Sequence, residues 1–254
     1  MKRATTIAIS GKGGSGKTTI AAMIVRNLID SHPRPSVLAV DADPNYCLAP
    51  MLGVEPTGTI AEVREQARAK GPSTTGTDKL RALEYEIQQA VTEAEGFDLL
   101  TMGRPEGPHC YCAANNMLRQ FMDKFNRQYD YVIIDNEAGM EHLSRRTTND
   151  VDLLCIVADP TPIGVSTAGR IAQLARELPI AVGKIGLVWN RTDKPPEQVP
   201  QLNGVETLGC VPADEAVLEA SMSGRSTFEL KPDSPACLAV REIFYRILSN
   251  SRLY

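Results

Sequence analysis

A glycine-rich run near the start of the chain constrains its fold more than any other feature of the sequence. Residues 11–18 read Gly-Lys-Gly-Gly-Ser-Gly-Lys-Thr and match every fixed position of the phosphate-binding P-loop pattern. The run follows a short apolar segment and precedes a segment with helical character, which is the context that such a loop requires. Glycines let consecutive N–H groups turn toward phosphate oxygens, and the next helix adds the positive end of its dipole. The sequence therefore predicts a nucleotide-phosphate site after the first strand.

Short apolar runs alternate with helical stretches along the rest of the chain. The predicted strands are residues 6–10, 37–41, 97–102, 131–135, 153–158, 184–190 and 205–211. The predicted helices are residues 17–30, 59–70, 77–93, 113–127, 164–177, 214–221 and 235–249. Thr59 and Glu62 have the spacing of a capping box at the start of the second helix. We therefore expect one α/β P-loop NTPase domain over residues 1–254, with a mainly parallel sheet of seven to eight strands and helices on both faces.

Composition excludes several function classes. The chain carries 27 Lys and Arg against 31 Asp and Glu, for a net charge of −4, which argues against a protein that mainly coats nucleic acid or anionic lipid. No apolar run approaches the ~18 residues that span a bilayer, and the first residues lack the long apolar region of a secretory signal. We expect a cytoplasmic protein with no nucleic-acid or membrane partner. Its six Cys are then expected to be free thiols or metal ligands.

Four side chains are candidates for phosphate chemistry around the loop. Lys17 would reach the β- and γ-phosphates, and the Thr18 hydroxyl would bind Mg²⁺. Asp41 and Asp43 follow the second strand, and a carboxylate there can orient an attacking water or support Mg²⁺ through water. We assign the water to Asp43 and the metal to Asp41, although either could simply cap the loop.

A third carboxylate, Asp135, ends the apolar strand 131–135 and is a further candidate for Mg²⁺ support. Asn190 and Pro212 are candidates for base recognition because each lies at a strand end, where open α/β sheets bind ligands. Asn190 could instead cap a turn. ATP is favoured over GTP because a guanine-reading Asn-Lys-x-Asp is missing. The predicted nucleotide-binding residues are Gly11, Lys12, Gly13, Gly14, Ser15, Gly16, Lys17, Thr18, Thr19, Asn190 and Pro212.

A Cys-Tyr-Cys segment indicates a candidate metal site. Cys110 and Cys112 lie in the Gly- and Pro-containing loop 103–116, just before a predicted helix, and a helix N-terminus favours thiolate. Thiolates are soft ligands for Zn²⁺, Ni²⁺ or Cu⁺, and two of them make half of a four-coordinate site. His109 could add a third ligand, or a symmetric dimer could supply a second pair. A redox dithiol, two incidental thiols and a structural zinc site remain open. Cys155, Cys210 and Cys237 are interpreted as core residues, and Cys47 is ambiguous.

The phosphate loop resembles the deviant Walker A motif of the MinD/ParA/nitrogenase-iron-protein class of ATPases. In that class the early lysine, here Lys12, crosses a dimer interface and contacts the phosphates bound in the partner. The resemblance therefore implies that Lys12 is catalytic together with Lys17 and Asp43. Residues 41–47 are similar to the class's switch I. Residues 135–142 are similar to its switch II, in which the Gly139 N–H would sense the γ-phosphate. The resemblance also implies that Asn190 and the backbone near Pro212 meet adenine.

Over its whole length the chain resembles the CooC-type nickel maturation ATPases of carbon monoxide dehydrogenase, including the AcsF branch linked to acetyl-CoA synthase. The resemblance rests on the phosphate loop, Asp-Ala-Asp-Pro at 41–44, Cys-Tyr-Cys at 110–112 and Asp-Asn-Glu-Ala-Gly-Met-Glu-His-Leu at 135–143. It implies ATP-driven delivery of Ni²⁺ to one or both of those client enzymes. It further implies a nucleotide-dependent homodimer that holds the metal through Cys110 and Cys112 of both subunits, with Zn²⁺ possible in isolated protein. His109, directly before the first Cys, departs from the pattern.

Two other functions compete with this one. A MinD- or ParA-like positioning ATPase would act on membrane or DNA and would need a basic amphipathic tail or a basic surface. Residues 241–248 are only faintly amphipathic and are better explained as a packed terminal helix. A nitrogenase-iron-protein-like reductase would need two separated cysteines near the switches, whereas the plausible pair here is adjacent.

Overall fold

A computed structural model describes residues 3–31, 35–69, 77–104, 117–118, 120–122, 128–137, 150–178, 181–196 and 204–250. Within these ranges, eight strands form one sheet: β1 (Thr5–Gly11), β2 (Val37–Asp41), β3 (Thr92–Ala94), β4 (Phe97–Thr101), β5 (Tyr131–Asp135), β6 (Asp150–Ala158), β7 (Ala181–Asn190) and β8 (Val205–Val211). The helices are α1 (Lys17–Ser31), α2 (Leu48–Met51), α3 (Ile60–Ala69), α4 (Thr77–Ala90), α5 (Pro162–Glu177), α6 (Glu215–Met222) and α7 (Pro235–Asn250). A 3₁₀ turn, Thr227–Glu229, precedes α7.

The strand order places the functional ends of the sheet side by side. The order is β3-β4-β2-β5-β1-β6-β7-β8, and every described pairing is parallel except that of β3 with β4. Asp135 at the end of β5 is in register with Asp41 on β2 and with Ile9 on β1. The phosphate loop and both strand-end carboxylates therefore meet at one edge of the sheet, where parallel α/β folds bind ligands.

Alternate side chains of the strands feed two hydrophobic cores, one on each face of the sheet. On β1, Ile7 and Ile9 join the core that contains α1, α2 and α7, whereas Ala8 joins the core that contains α3, α4 and α5. This alternation follows from the two-residue repeat of a strand. Trp189, the only tryptophan of the chain, is fully buried in the second core, directly before Asn190. The expected layered α/β architecture is confirmed.

The start of α3 is fixed against the ends of two strands. The Thr59 N–H donates to Glu62 Oε2 at 2.9 Å and the Glu62 N–H donates to Thr59 Oγ1 at 3.1 Å, which confirms the predicted capping box. The Met102 N–H donates to the Asp41 carbonyl at 2.8 Å, and the Ala61 N–H donates to the Met102 carbonyl at 2.9 Å. Met102 therefore joins the end of β2 to the first turn of α3.

One predicted helix boundary is wrong. The sequence predicts a helix over residues 77–93, but α4 ends at Ala90, and β3 pairs antiparallel with β4 through a tight turn at Gly96, whose φ is +88°. A positive φ costs glycine little, so the turn forms there. A strand of three residues is too short to show alternation in the sequence. The short α2 and the 3₁₀ turn are not predicted either.

The seven predicted strands all coincide with observed strands, and β6 and β7 each begin three residues earlier than predicted. Of the predicted helix 113–127, only residues 117–118 and 120–122 are described, and these are helical. No helix in the described ranges combines the length and apolar character that crossing a membrane requires.

Candidate nucleotide-binding site

The phosphate loop connects β1 to α1 and depends on glycine at defined points. Gly14 and Gly16 have φ values of +76° and +92°, which disfavour any other residue. A Cβ at Gly11 would lie 2.3 Å from the Val157 carbonyl oxygen, so a side chain there would push β1 away from β6. The Ser15 N–H donates to the Lys12 carbonyl at 3.2 Å and closes the loop. The strand, loop and helix follow one another as the sequence predicts.

The two lysines of the loop differ in their surroundings. The Lys17 side chain is buried at 7% exposure, and its Nζ donates to the Lys12 carbonyl at 3.3 Å. Among the described residues this 3.3 Å hydrogen bond is the one recorded for the Lys17 ammonium group, and a buried ammonium group with so few partners is well suited to bind an anion. The Lys12 side chain is exposed, so it is available to a molecule outside this chain.

The carboxylates of Asp41 and Asp135 form a buried pair on neighbouring strands. Both residues are 0% exposed. The Asp41 carboxylate accepts hydrogen bonds from the Leu48 N–H at 2.8 Å and the Asp43 N–H at 3.1 Å. Burial nevertheless raises the pKa of Asp41 to about 6, because removal from water outweighs these bonds. We call Asp41 and Asp135 the carboxylate pair.

Asp135 accepts fewer hydrogen bonds than Asp41 among the described residues. Among the described residues, neither of its oxygens has a hydrogen-bond partner of good geometry. Burial raises its pKa to about 7; the nearby Thr18 hydroxyl and the Lys17 charge oppose the rise, whereas Asp41 adds to it. A buried carboxylate with so few donors is best stabilised by a cation.

The donor set at this edge fits Mg²⁺. The Thr18 hydroxyl and the carboxylate pair supply oxygen ligands, which Mg²⁺ prefers, and few protein ligands are needed because Mg²⁺ keeps several waters. Within the described ranges, no group of three or more Asp, Glu, His or Cys side chains converges in metal-binding geometry. Two carboxylates and one hydroxyl, completed by water and phosphate, are therefore the ligands that these residues can provide.

Asp43 begins the loop that connects β2 to α2. It is half-buried, and its Oδ1 accepts from the N–H and the side-chain Nδ2 of Asn45, each at 2.9 Å. Tyr46 has a φ of +58°, so the loop turns sharply before α2. The sequence predicts that Asp43 orients the attacking water, and Asn45 holds the carboxylate in one orientation.

A cavity of about 390 Å³ opens beside the phosphate loop, and we call it the base cavity. It lies between the first turns of α1, the ends of β7 and β8, and α6. Its wall includes Gly16, Thr19, Ile20, Asn190, Pro212 and Leu218. The fold thus brings the predicted Asn190 and Pro212 together with Thr19, although they are far apart in the sequence.

Asn190 makes two internal hydrogen bonds at the border of the base cavity. Its Nδ2 donates to the Ser15 carbonyl at 2.8 Å, and its Oδ1 accepts from the Arg191 N–H at 3.0 Å. The residue is 8% exposed. Its amide therefore contacts the phosphate loop as well as the cavity.

The sequence analysis included Asn136 in the switch II segment without a role of its own, and it missed Leu218. Asn136 is 2% exposed, and both its backbone N–H and its Nδ2 donate to the Ile9 carbonyl, at 3.1 and 3.0 Å, which holds the end of β5 against β1. Its position directly after Asp135 could have suggested this role. Leu218 lines the base cavity while 61% exposed, and no sequence signal distinguishes it from any other leucine of an amphipathic helix.

The described cysteines fit a structural interpretation. Cys155 and Cys237 are buried and Cys210 is half-buried, in agreement with their prediction as core residues. Cys47 is exposed, but burial of its sulfur and the charge of Asp43 raise its pKa to about 11, so it stays a thiol at neutral pH. The remaining sequence candidates lie outside the described residues: His109, Cys110, Cys112 and Gly139.

Comparison with known proteins finds one matching domain model, sequence relatives and similar solved structures. A model of the CobQ/CobB/MinD/ParA nucleotide binding domain matches residues 6–228. An uncharacterised ATP-binding protein of Methanocaldococcus jannaschii is 37% identical over 251 residues, 96% of this chain and 98% of that protein. The carbon monoxide dehydrogenase accessory protein CooC of Rhodospirillum rubrum is 34% identical over 247 residues, 91% of each chain. The cell division ATPase MinD of Pyrococcus furiosus superposes with a TM-score of 0.70 at 22% identity, over 96% of this chain and 98% of that one.

The MinD structure, at this identity, supports the fold alone. The matched domain model spans most of the chain, and both sequence relatives exceed 30% identity over nearly its full length. The chain therefore belongs to the CobQ/CobB/MinD/ParA family of nucleotide-binding P-loop ATPases.

Proposed function

We propose that this protein is a Mg²⁺-dependent ATPase that acts as a nickel metallochaperone. It would hold nickel through Cys110 and Cys112 of two protomers and help to insert it into carbon monoxide dehydrogenase, acetyl-CoA synthase or both. The observation that carries the proposal is the similarity to a carbon monoxide dehydrogenase accessory protein over 91% of the chain. The phosphate loop, Asp43, Thr18 and the carboxylate pair would supply the side chains for ATP hydrolysis.

The phosphate loop would bind ATP through its backbone N–H groups and Lys17. Lys17 is already buried and directed at the loop, so it meets a phosphate with little further loss of side-chain freedom. Lys12 is exposed on the same loop and is free to reach the nucleotide of a second protomer. Bound ATP would then form part of the dimer interface.

Hydrolysis would use Asp43 to hold the attacking water. Asn45 fixes one of its oxygens, which leaves the other oxygen in a defined orientation. Thr18 and the carboxylate pair would hold Mg²⁺, which when bound neutralises charge on the transferred phosphoryl group. Lys17 and Lys12 would stabilise the same charge from the protein side.

One backbone hydrogen bond joins the end of β2 to the residue that precedes the cysteine segment in the sequence. The Asp41 carbonyl accepts from Met102, and the Met102 carbonyl accepts from Ala61. The segment that contains Cys110 and Cys112 starts at Gly103, directly after Met102. A movement of the Asp41 backbone on hydrolysis would therefore act on Met102, which directly precedes the cysteine segment. This supports coupling between nucleotide state and metal release.

The test measures nickel bound per chain, with and without ATP, by equilibrium dialysis. Wild-type protein should bind half a nickel ion per chain. Lys17→Ala should abolish hydrolysis but keep most of the nickel affinity, whereas the double variant Cys110→Ser/Cys112→Ser should lose nickel but keep hydrolysis. Equal loss of nickel in both variants would contradict this separation of roles.

The competing functions predict different results from the same preparation. ATP-dependent co-sedimentation with liposomes or DNA, unaffected by loss of both cysteines, would favour a positioning ATPase. Visible absorption of an iron–sulfur cluster in the purified protein would favour a reductase. Zinc bound in place of nickel would leave the thiolate site intact, because the same ligands accept both metals.

A further inference from the structure

Asn190 lies at the junction between the base cavity and the phosphate loop. Its Nδ2 donates to the Ser15 carbonyl at 2.8 Å, across 175 residues of sequence. Its Oδ1 accepts from the Arg191 N–H at 3.0 Å, and Arg191 has a φ of +61°. This pairing sets the orientation of the amide, since a flipped amide would place oxygen against the Ser15 carbonyl and NH₂ against the Arg191 N–H.

Gly16 fits closely against the same amide. A Cβ at Gly16 would lie 2.2 Å from Asn190 Nδ2, so any side chain there would displace Asn190. The Ser15–Gly16 peptide is planar and trans, so its carbonyl and its N–H point in opposite directions. Because Asn190 holds the carbonyl, the Gly16 N–H is directed away from Asn190 and cannot rotate without breaking the 2.8 Å bond.

We propose that Asn190 is a positioning residue for the phosphate loop, which fixes the Ser15–Gly16 peptide in the orientation that binds phosphate. The sequence alone suggests a reader of the adenine base. After its two internal bonds, the amide keeps one N–H and one lone pair for a ligand, whereas the bond to Ser15 lies wholly within the chain. The inference rests on ATP binding as proposed above and does not involve nickel.

The experiment uses the variant Asn190→Leu, in which the new side chain is similar in size and has no polar group. Hydrogen exchange, followed by mass spectrometry in nucleotide-free protein, should increase for peptides that cover residues 11–19 and stay unchanged for peptides from β5. ATP and GTP affinities, measured by calorimetry with Mg²⁺, should both fall about tenfold, the effect of losing one buried hydrogen bond. The ratio of the two affinities should stay constant.

Leu218→Ala is the matched control, because Leu218 lines the same cavity but has no hydrogen bond to the loop. It should weaken nucleotide binding without changing exchange in residues 11–19. If the Asn190→Leu variant does not fold, Asn190→Ala replaces it, because Ala removes the donor to Ser15 and adds neither bulk nor charge beside the phosphate loop.

The inference is overturned if exchange in residues 11–19 is unchanged, or if it rises equally across the sheet. A changed ATP-to-GTP ratio with normal exchange would assign Asn190 to base reading and overturn it as well. If the wild-type protein binds no ATP, the proposed function itself fails, which is a different result from any obtained with the variants.

Discussion

The two ends of the nucleotide site are built in opposite ways. At one end the carboxylate pair is fully buried, and burial raises the pKa values of Asp41 and Asp135 to about 6 and about 7. At the other end Asn190 is neutral, bonded through both amide atoms, and borders an open cavity. The first end has carboxylate oxygens without hydrogen-bond partners among the described residues, whereas the second is held by hydrogen bonds within the chain. We expect substitutions at the first end to change rate and metal dependence, and those at the second to change nucleotide affinity.

Among the substitutions that compare these two ends, Asp43→Asn should have the largest effect. It removes the carboxylate that we propose orients the attacking water but keeps the shape of the loop, so kcat should fall by roughly 10²–10⁴ with little change in KM. Steady-state phosphate release checks this. Asn45→Ala, which frees Asp43 Oδ1 from two hydrogen bonds, should lower kcat by a smaller factor. Full activity of Asp43→Asn would remove Asp43 from the mechanism.

Asp135→Asn should raise the Mg²⁺ concentration needed for half-maximal hydrolysis by about 10- to 100-fold, because it removes a carboxylate that we propose supports the cation. Titration of activity with MgCl₂ measures the shift. Asp233→Asn, an exposed carboxylate outside the site, is the control and should leave the Mg²⁺ requirement unchanged. An unchanged Mg²⁺ requirement in Asp135→Asn would contradict a role for Asp135 in supporting the cation.

The carboxylate pair also predicts a pH dependence of stability. Both carboxyls bind protons more tightly in the folded than in the unfolded state, so the folded protein holds extra protons between about pH 4 and about pH 7. The free energy of unfolding of the Mg²⁺-free protein should therefore fall as the pH rises through this window. Urea unfolding in EDTA measures the slope, which should be smaller in Asp135→Asn. A stability that rises over the same window would contradict the raised pKa values.

Leu218→Ala should have the smallest effect. Leu218 is 61% exposed, so the change removes little buried apolar surface, and ATP affinity should fall by only about two- to threefold. Met222→Ala is the matched control on the same helix, because Met222 is 81% exposed and does not line the cavity. Isothermal titration compares the two. Equal affinities in both variants would mean that α6 does not touch the nucleotide.

The sequence predicts the charged end of the site better than the neutral end. Residues 11–18 and Asp135 are recognisable because phosphate binding and metal support require those residue types at fixed places beside a strand. The bond between Asn190 and Ser15 joins residues 175 positions apart, and no local pattern specifies it. The role of Leu218 depends on how α6 packs, which amphipathicity alone does not determine. The strand β3 was missed for a related reason, since pairing with β4 decides its conformation.

The burial of Trp189 makes its fluorescence a probe of the surrounding structure. The indole is the only one in the chain, is fully shielded from solvent, and its N–H has no hydrogen-bond partner among the described residues. Such an indole emits fluorescence at short wavelength. Trp189 directly precedes Asn190, whose side-chain amide donates to the Ser15 carbonyl. Any loosening of that strand end on ligand exchange would admit solvent and shift the emission to the red, so the protein's cycle can be followed without a dye.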